Sequence, residues 1–203
     1  HRGEREEVPE QTLERGSQAT GRDDYTPSMR LVDADKDRRD AAYWDEVEEA
    51  TELLQEAHFS EALVALRDRI KASPKNPYAY HFTGVALQEM GQLEAARDAY
   101  QAAIRLSPGY LGARVGLSHV RRMMGDPIGA LAAANEALRR APKDPDALYA
   151  AGLAHAACGN RKEARSKLDG FLETNPEVEV SQEVRGILEM LGIGDDDEPL
   201  DLA

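Results

Sequence analysis

The chain has 203 residues, a formal net charge of −13 and 5% aromatic residues. A surface that neutralises phosphates needs clustered Lys and Arg, so nucleic acid is set aside as a partner, and alanine-rich stretches such as 129–141 favour helix over strand. Cys158 is the single cysteine, which excludes an intrachain disulfide and leaves the redox compartment unread. No apolar run approaches the roughly 18 residues that span a bilayer, and no signal-peptide core is present. Because the chain starts at His1, a removed upstream signal or anchor is compatible with it. The cytoplasm is the default compartment; a periplasmic or membrane-associated site is the alternative.

Residues 1–40 combine charges of both signs with Gly, Pro and Ser, and residues 1–42 carry 8 basic and 11 acidic groups. Such a stretch buries too little apolar surface to offset its chain entropy. It is read as a flexible charged segment whose one apolar cluster is Tyr25, Met29, Leu31 and Val32.

From Tyr43 onward the chain repeats. Pro74, Pro108, Pro142 and Pro176 stand 34 residues apart, as do Ala62, Ala96, Ala130 and Ala164. With proline at about 5% of residues, three further matches at one spacing have a chance probability on the order of 10⁻⁴. Starting units at residues 43, 77, 111 and 145 aligns the small residues Ala50, Gly84, Ser118 and Gly152. It also aligns the apolar Ile70, Ile104, Leu138 and Leu172. Gly91, Gly125 and Gly159 fall where a left-handed residue ends a first helix. Asn76–Pro77 and Asp144–Pro145 read as N-cap followed by first helical residue. Each unit is predicted to be helix, Gly turn, helix, Pro-marked loop.

This pattern resembles the tetratricopeptide repeat, over about 43–176. The second unit fits most fully, with Tyr80, Gly84, Leu87, Gly91, Ala96, Tyr100, Ala103 and Pro108 in place. Departures are Ala57 for the turn glycine, Arg69 in a small column, and Pro127 and Arg161 where bulk is usual. The resemblance implies an all-α fold: a right-handed α–α superhelix of four hairpins at about 43–76, 77–110, 111–144 and 145–178, within a domain at 41–192. A capping helix at 178–191 carries Val180, Val184, Ile187, Leu188 and Leu191 at helical spacing. Residues 193–203 form an acidic tail.

In this family the first helix of each repeat lines a concave groove. The resemblance therefore points to Trp44, Val47, Tyr78, His81, Val85, Val115, His119, Arg122, Tyr149 and Leu153 as partner-binding residues, and steps of three and four keep them on one helix face. Such a surface suits a peptide or helix held by aromatic anchors. The positions with which some relatives clamp the carboxylates of heat-shock chaperones hold Val47, Thr51, Phe82, Gly112 and Gly116 here, so that clamp is absent. The first unit carries 8 acidic and 4 basic residues, the third 3 acidic and 6 basic, and residues 179–203 carry 8 acidic and one basic. The basic third unit is suited to an acidic segment, from a partner or from this chain's own tail.

Catalysis finds no motif: no HExxH, CxxC, phosphate loop or GxSxG occurs. His81 and His119 lie in different units without a carboxylate spaced to orient them, and each reads as a surface histidine. A zinc site needs three or four ligands, and Cys158 and His155 read as inter-helix packing. The chain is expected to be a non-enzymatic scaffold or adaptor for a protein partner, without cofactor or metal. The alternatives are a structural subunit held into a larger, membrane-associated assembly by residues 1–40, and a secretion-type chaperone.

Overall fold

The computed structural model describes residues 38–192. The chain divides into two compact units, His1–Arg38 and Arg39–Ala203, and the helices labelled below belong to the second. Among the described residues every regular element is helical. The helices are α1 (Glu48–Gln55), α2 (Phe59–Ala72), α3 (Pro77–Glu89), α4 (Leu93–Leu106), α5 (Leu111–Met123), α6 (Pro127–Arg140), α7 (Pro145–Ala157), α8 (Arg161–Leu172) and α9 (Val178–Met190). A shorter helical segment over 38–45 precedes them.

Each boundary has a local cause. Gly91, Gly125 and Gly159 end α3, α5 and α7 at φ of 72°, 76° and 76°, where a Cβ is disfavoured. Ala57 takes the same conformation after α1, at φ 59°, without the glycine. After α2, α4 and α6 the C-caps Ser73, Ser107 and Ala141 turn extended, with ψ of 74°, 90° and 80°. Each precedes a proline, whose ring disfavours the helical region for the residue before it. Asp144 and Asp126 cap α7 and α6, accepting from Ala147 N at 2.9 Å and Gly129 N at 2.8 Å. Pro127 thus occupies the first position of α6, where its missing N–H is not needed.

The helices stack in chain order, each packing on the next, and the leading helices also touch one another: α1 on α3, α3 on α5, α5 on α7. Small residues make this closeness possible. A Cβ on Gly84 would lie 2.8 Å from the Tyr100 ring, and one on Gly116 would lie 2.5 Å from it. Tyr100, almost wholly buried, fills the space both glycines leave. Gly152 likewise receives Leu168, with 2.6 Å to an added Cβ. Helix α7 buries Ala147, Ala150, Ala151, Gly152, Leu153 and Ala154, an apolar circumference that fits a helix covered on several sides. At the C-terminal end α9 packs Val184, Val180, Ile187 and Leu188 against Leu168 and Phe171 of α8.

The first unit departs from expectation. Its leading helix was placed from Tyr43, but the helix over 38–45 breaks at 46–47 before α1 begins. Asn76 accounts for the break. Fully buried, it donates from Nδ2 to the carbonyl of Tyr43 at 2.7 Å and to Glu46 Oε2 at 3.0 Å. Its Oδ1 accepts from the N–H groups of Tyr78 and Ala79, so one side chain finishes one helix and starts another. Ser73 Oγ donates to the other Glu46 oxygen at 2.9 Å. Of the segment read as flexible, residues 38–40 are helical; residues 1–37 and the tail 193–203 lie outside the described residues.

Candidate partner-binding face

The ten residues expected to line one channel separate into two aromatic groups and a buried remainder. In the first group Trp44 meets Tyr78 edge-on at 5.4 Å between ring centroids and Phe82 at 5.7 Å. Tyr78 continues to Tyr110 at 5.1 Å, and His81 sits among Phe82, Tyr110 and Tyr100 at 4.9, 4.9 and 5.6 Å. Trp44 remains 48% exposed. This bay joins the 38–45 segment, α3 and the residue that opens α5.

The second group centres on Tyr149 of α7, which lies 5.9 Å from the His119 ring and 5.1 Å from Phe171. Tyr149 donates its hydroxyl to Glu183 Oε1 of α9 at 3.1 Å. Arg122, one turn beyond His119 on α5, is close enough for its charge to act on both His119 and Tyr149.

Val47 and Leu153 are corrections. Val47 is 0% exposed and packs with Ala50, Leu66 and Ala79; the helix break at 46–47 turns it inward. Leu153 is 9% exposed within the buried circumference of α7. Val85 and Val115 are partly buried and pack against core clusters. His81 was read as a surface residue, yet burial pushes its pKa down to about 4, and its Nδ1 is buried without a hydrogen-bond partner among the described residues. Burial, reinforced by the Arg122 charge, lowers His119 to about 4 as well. Both rings are therefore neutral near pH 7 and act as flat, weakly polar walls. Burial, and secondarily Asp40, raises the Tyr78 phenol; burial and Glu183 raise that of Tyr149.

Tyr110, Phe171 and Glu183 were missed. Tyr110 stands 34 residues from both Asn76 and Asp144, in the capping column, and that column was read only for its cap chemistry. Tyr110 makes no side-chain cap bond and supplies its ring to the bay instead. Cys158 follows the packing expectation, its thiol 3.4 Å from the Pro127 carbonyl. Among the described residues no group of three or more His, Cys, Asp or Glu is arranged to hold a metal, and no helix is long and apolar enough to cross a membrane. An open pocket of about 780 Å³ lies elsewhere, on α1 and α2, lined by Glu49, Leu53, Glu61, Val64 and Asp68 among others. It shares no residue with either aromatic group.

Successive helices stacked at a 34-residue period, with leading helices side by side, define a helical-repeat protein. Family profiles described as tetratricopeptide repeat match residues 77–110 and 117–178, so the chain carries tetratricopeptide repeats over those residues. No curated protein matches it in sequence. Among solved structures, it is similar to TTC0263, a thermophilic TPR protein of Thermus thermophilus, at 22% identity and TM-score 0.61, over 74% of this chain and 81% of that one. It is also similar to PilW, a type IV pilus biogenesis factor, at 18% identity and TM-score 0.66, over 74% and 70%. A third is the first TPR of Spaghetti (RPAP3), bound to the HSP90 peptide SRMEEVD, at 19% identity and TM-score 0.52, over 57% and 93%. At these identities the likeness is one of fold.

Proposed function

We propose that this chain is a non-enzymatic scaffold that holds a segment of a partner protein along the face made by its leading helices. In this reading α1 to α8 form four hairpins of one right-handed array, and α9 closes its apolar end. The observation that carries it is the aromatic bay: an indole left nearly half exposed, backed by Tyr78 and Tyr110 from two further elements. Large apolar side chains held rigid and open to water suit anchor residues of a bound chain. Tyr149 and His119 extend the contact to the next leading helix. The Spaghetti repeat bound to its peptide supports the mode at the level of fold; the partner here is a different matter, because the clamp positions hold no cations.

The test is a quantitative pull-down with the full chain, comparing wild type with Trp44→Ala/Tyr78→Ala and with Tyr149→Ala. Partners recovered by wild type and lost from the bay variant, with helicity unchanged by circular dichroism, uphold the reading. Equal recovery by all three removes it. His81 is left intact because its ring is wedged among Phe82, Tyr110 and Tyr100, and replacing it would test packing.

A further inference from the structure

We infer that the held segment carries a carboxylate that docks on Arg122, displaced from its apolar anchor by the length of α5; this rests on the scaffold reading above. Arg122 is a partly exposed guanidinium whose side chain makes no ion pair or hydrogen bond among the described residues; its Nε, like those of Arg114 and Arg121, is shielded from solvent without a partner. A guanidinium partly withdrawn from water gains from a charged partner that completes its hydrogen bonds. What sets Arg122 apart is that the other arginines of the third unit each engage a carbonyl or a carboxylate. Arg114 donates to the Pro108 carbonyl at 2.6 Å, and with Arg139 and Arg140 it surrounds Glu136. Arg121 donates to the Gly129 carbonyl at 3.2 Å.

The surroundings of Arg122 favour an anion from outside. His119 is neutral near pH 7, so it does not compete as a cation. Glu183 accepts from the Tyr149 hydroxyl and forms no ion pair with Arg122. An incoming carboxylate would complete the guanidinium's charge-assisted bonds and take part of its surface out of water.

The spacing follows from the helix. Tyr110 opens α5 and Arg122 lies in its last turn, so twelve residues at 1.5 Å separate bay and arginine by roughly 18 Å along the axis. An extended segment covers that in about five or six residues. The inferred partner motif is a large apolar or aromatic residue in the bay and an Asp or Glu five or six positions away.

The experiment is selection from a phage-displayed library of random dodecapeptides on the immobilised full chain. Wild type is expected to enrich an acidic residue at that spacing from an aromatic or leucine. Arg122→Glu is expected to lose the acidic preference and weaken a selected peptide roughly tenfold or more, while Arg122→Lys retains the preference. Binders that depend on Tyr78 but bind Arg122→Glu equally well would overturn the carboxylate inference and leave the scaffold reading standing. A wild-type chain that selects nothing above blank resin would overturn both.

Discussion

Ala57 and Gly84 show how single positions carry the period and how far each is from optimal. Ala57 holds a left-handed backbone that its three counterparts hold with glycine, at a cost of about 1 kcal/mol for an L side chain. Ala57→Gly is therefore predicted to stabilise the chain by about 1 kcal/mol in urea unfolding. Gly84 is the opposite case, because its missing Cβ is the space Tyr100 occupies. Gly84→Ala is predicted to destabilise by about 2 kcal/mol through overpacking. The same substitution at Gly186 of α9, where nothing lies within 4 Å of the added carbon, is predicted to stabilise by up to about 1 kcal/mol. Opposite signs for one chemical change would show that packing, and not glycine's chain entropy, fixed residue 84.

The two partly buried histidines, His81 and His119, give a pH dependence of definite sign. Their folded pKa values are lowered to about 4, whereas an unfolded histidine titrates near 6.5. The unfolded chain binds more protons between those values, so the stability tied to neutral imidazole is complete above pH 6.5 and is lost as pH falls toward 4. Thermal melts between pH 7 and 5, where most carboxylates are still ionised, should show Tm falling with pH for wild type. A His81→Leu/His119→Leu chain should show a flatter profile; equal slopes would contradict the assignment of two neutral imidazoles.

At the scale of elements, most of the array is legible in sequence because its punctuation is local. A proline forces the preceding residue extended, a glycine accepts a positive φ, and Asn or Asp caps the next helix, so boundaries follow from neighbours in the chain. The break at 46–47 does not. It depends on Asn76, some thirty residues away, reaching back to Tyr43 and Glu46; local pattern reads Asn76 only as the cap of α3. Asn76→Ala removes two donated and two accepted hydrogen bonds at a fully buried site, and is predicted to cost about 3 kcal/mol. Asn76→Asp keeps the cap acceptor but sets a buried carboxylate against Glu46 and the Tyr43 carbonyl, and is predicted to cost at least as much as Asn76→Ala. Equal stability of all three chains in denaturant unfolding would contradict the role given to Asn76.

The site was less legible than the helices for the same physical reason. Helical periodicity places residues on a face, but does not say which face a neighbouring element covers. Val47 and Leu153 share the periodicity of Trp44 and Tyr149, yet the break before α1 and the packing around α7 bury them. Tyr110 lies outside the helical columns altogether and enters the bay from a loop. The separation into a bay at one end of α5 and a Tyr149–Arg122 group at the other depends on how adjacent leading helices align, which no single unit encodes.

For the molecule as a whole, stacking turns a weak local motif into a continuous surface. No one hairpin buries its own apolar stripe, so each helix depends on the next, and the leading helices come to lie side by side. Stacking also brings Trp44 of the 38–45 segment and Tyr110 of the loop before α5 against Tyr78, one on each side. Trp44 is the chain's one tryptophan and sits at the edge of the bay, which makes it a reporter of occupancy. The measurement is Trp44 emission and iodide quenching on adding a peptide selected against the full chain. If the aromatic face holds the partner, emission shifts to the blue and quenching falls with the same dissociation constant as binding. A peptide that binds tightly while both signals stay unchanged would show that affinity resides elsewhere.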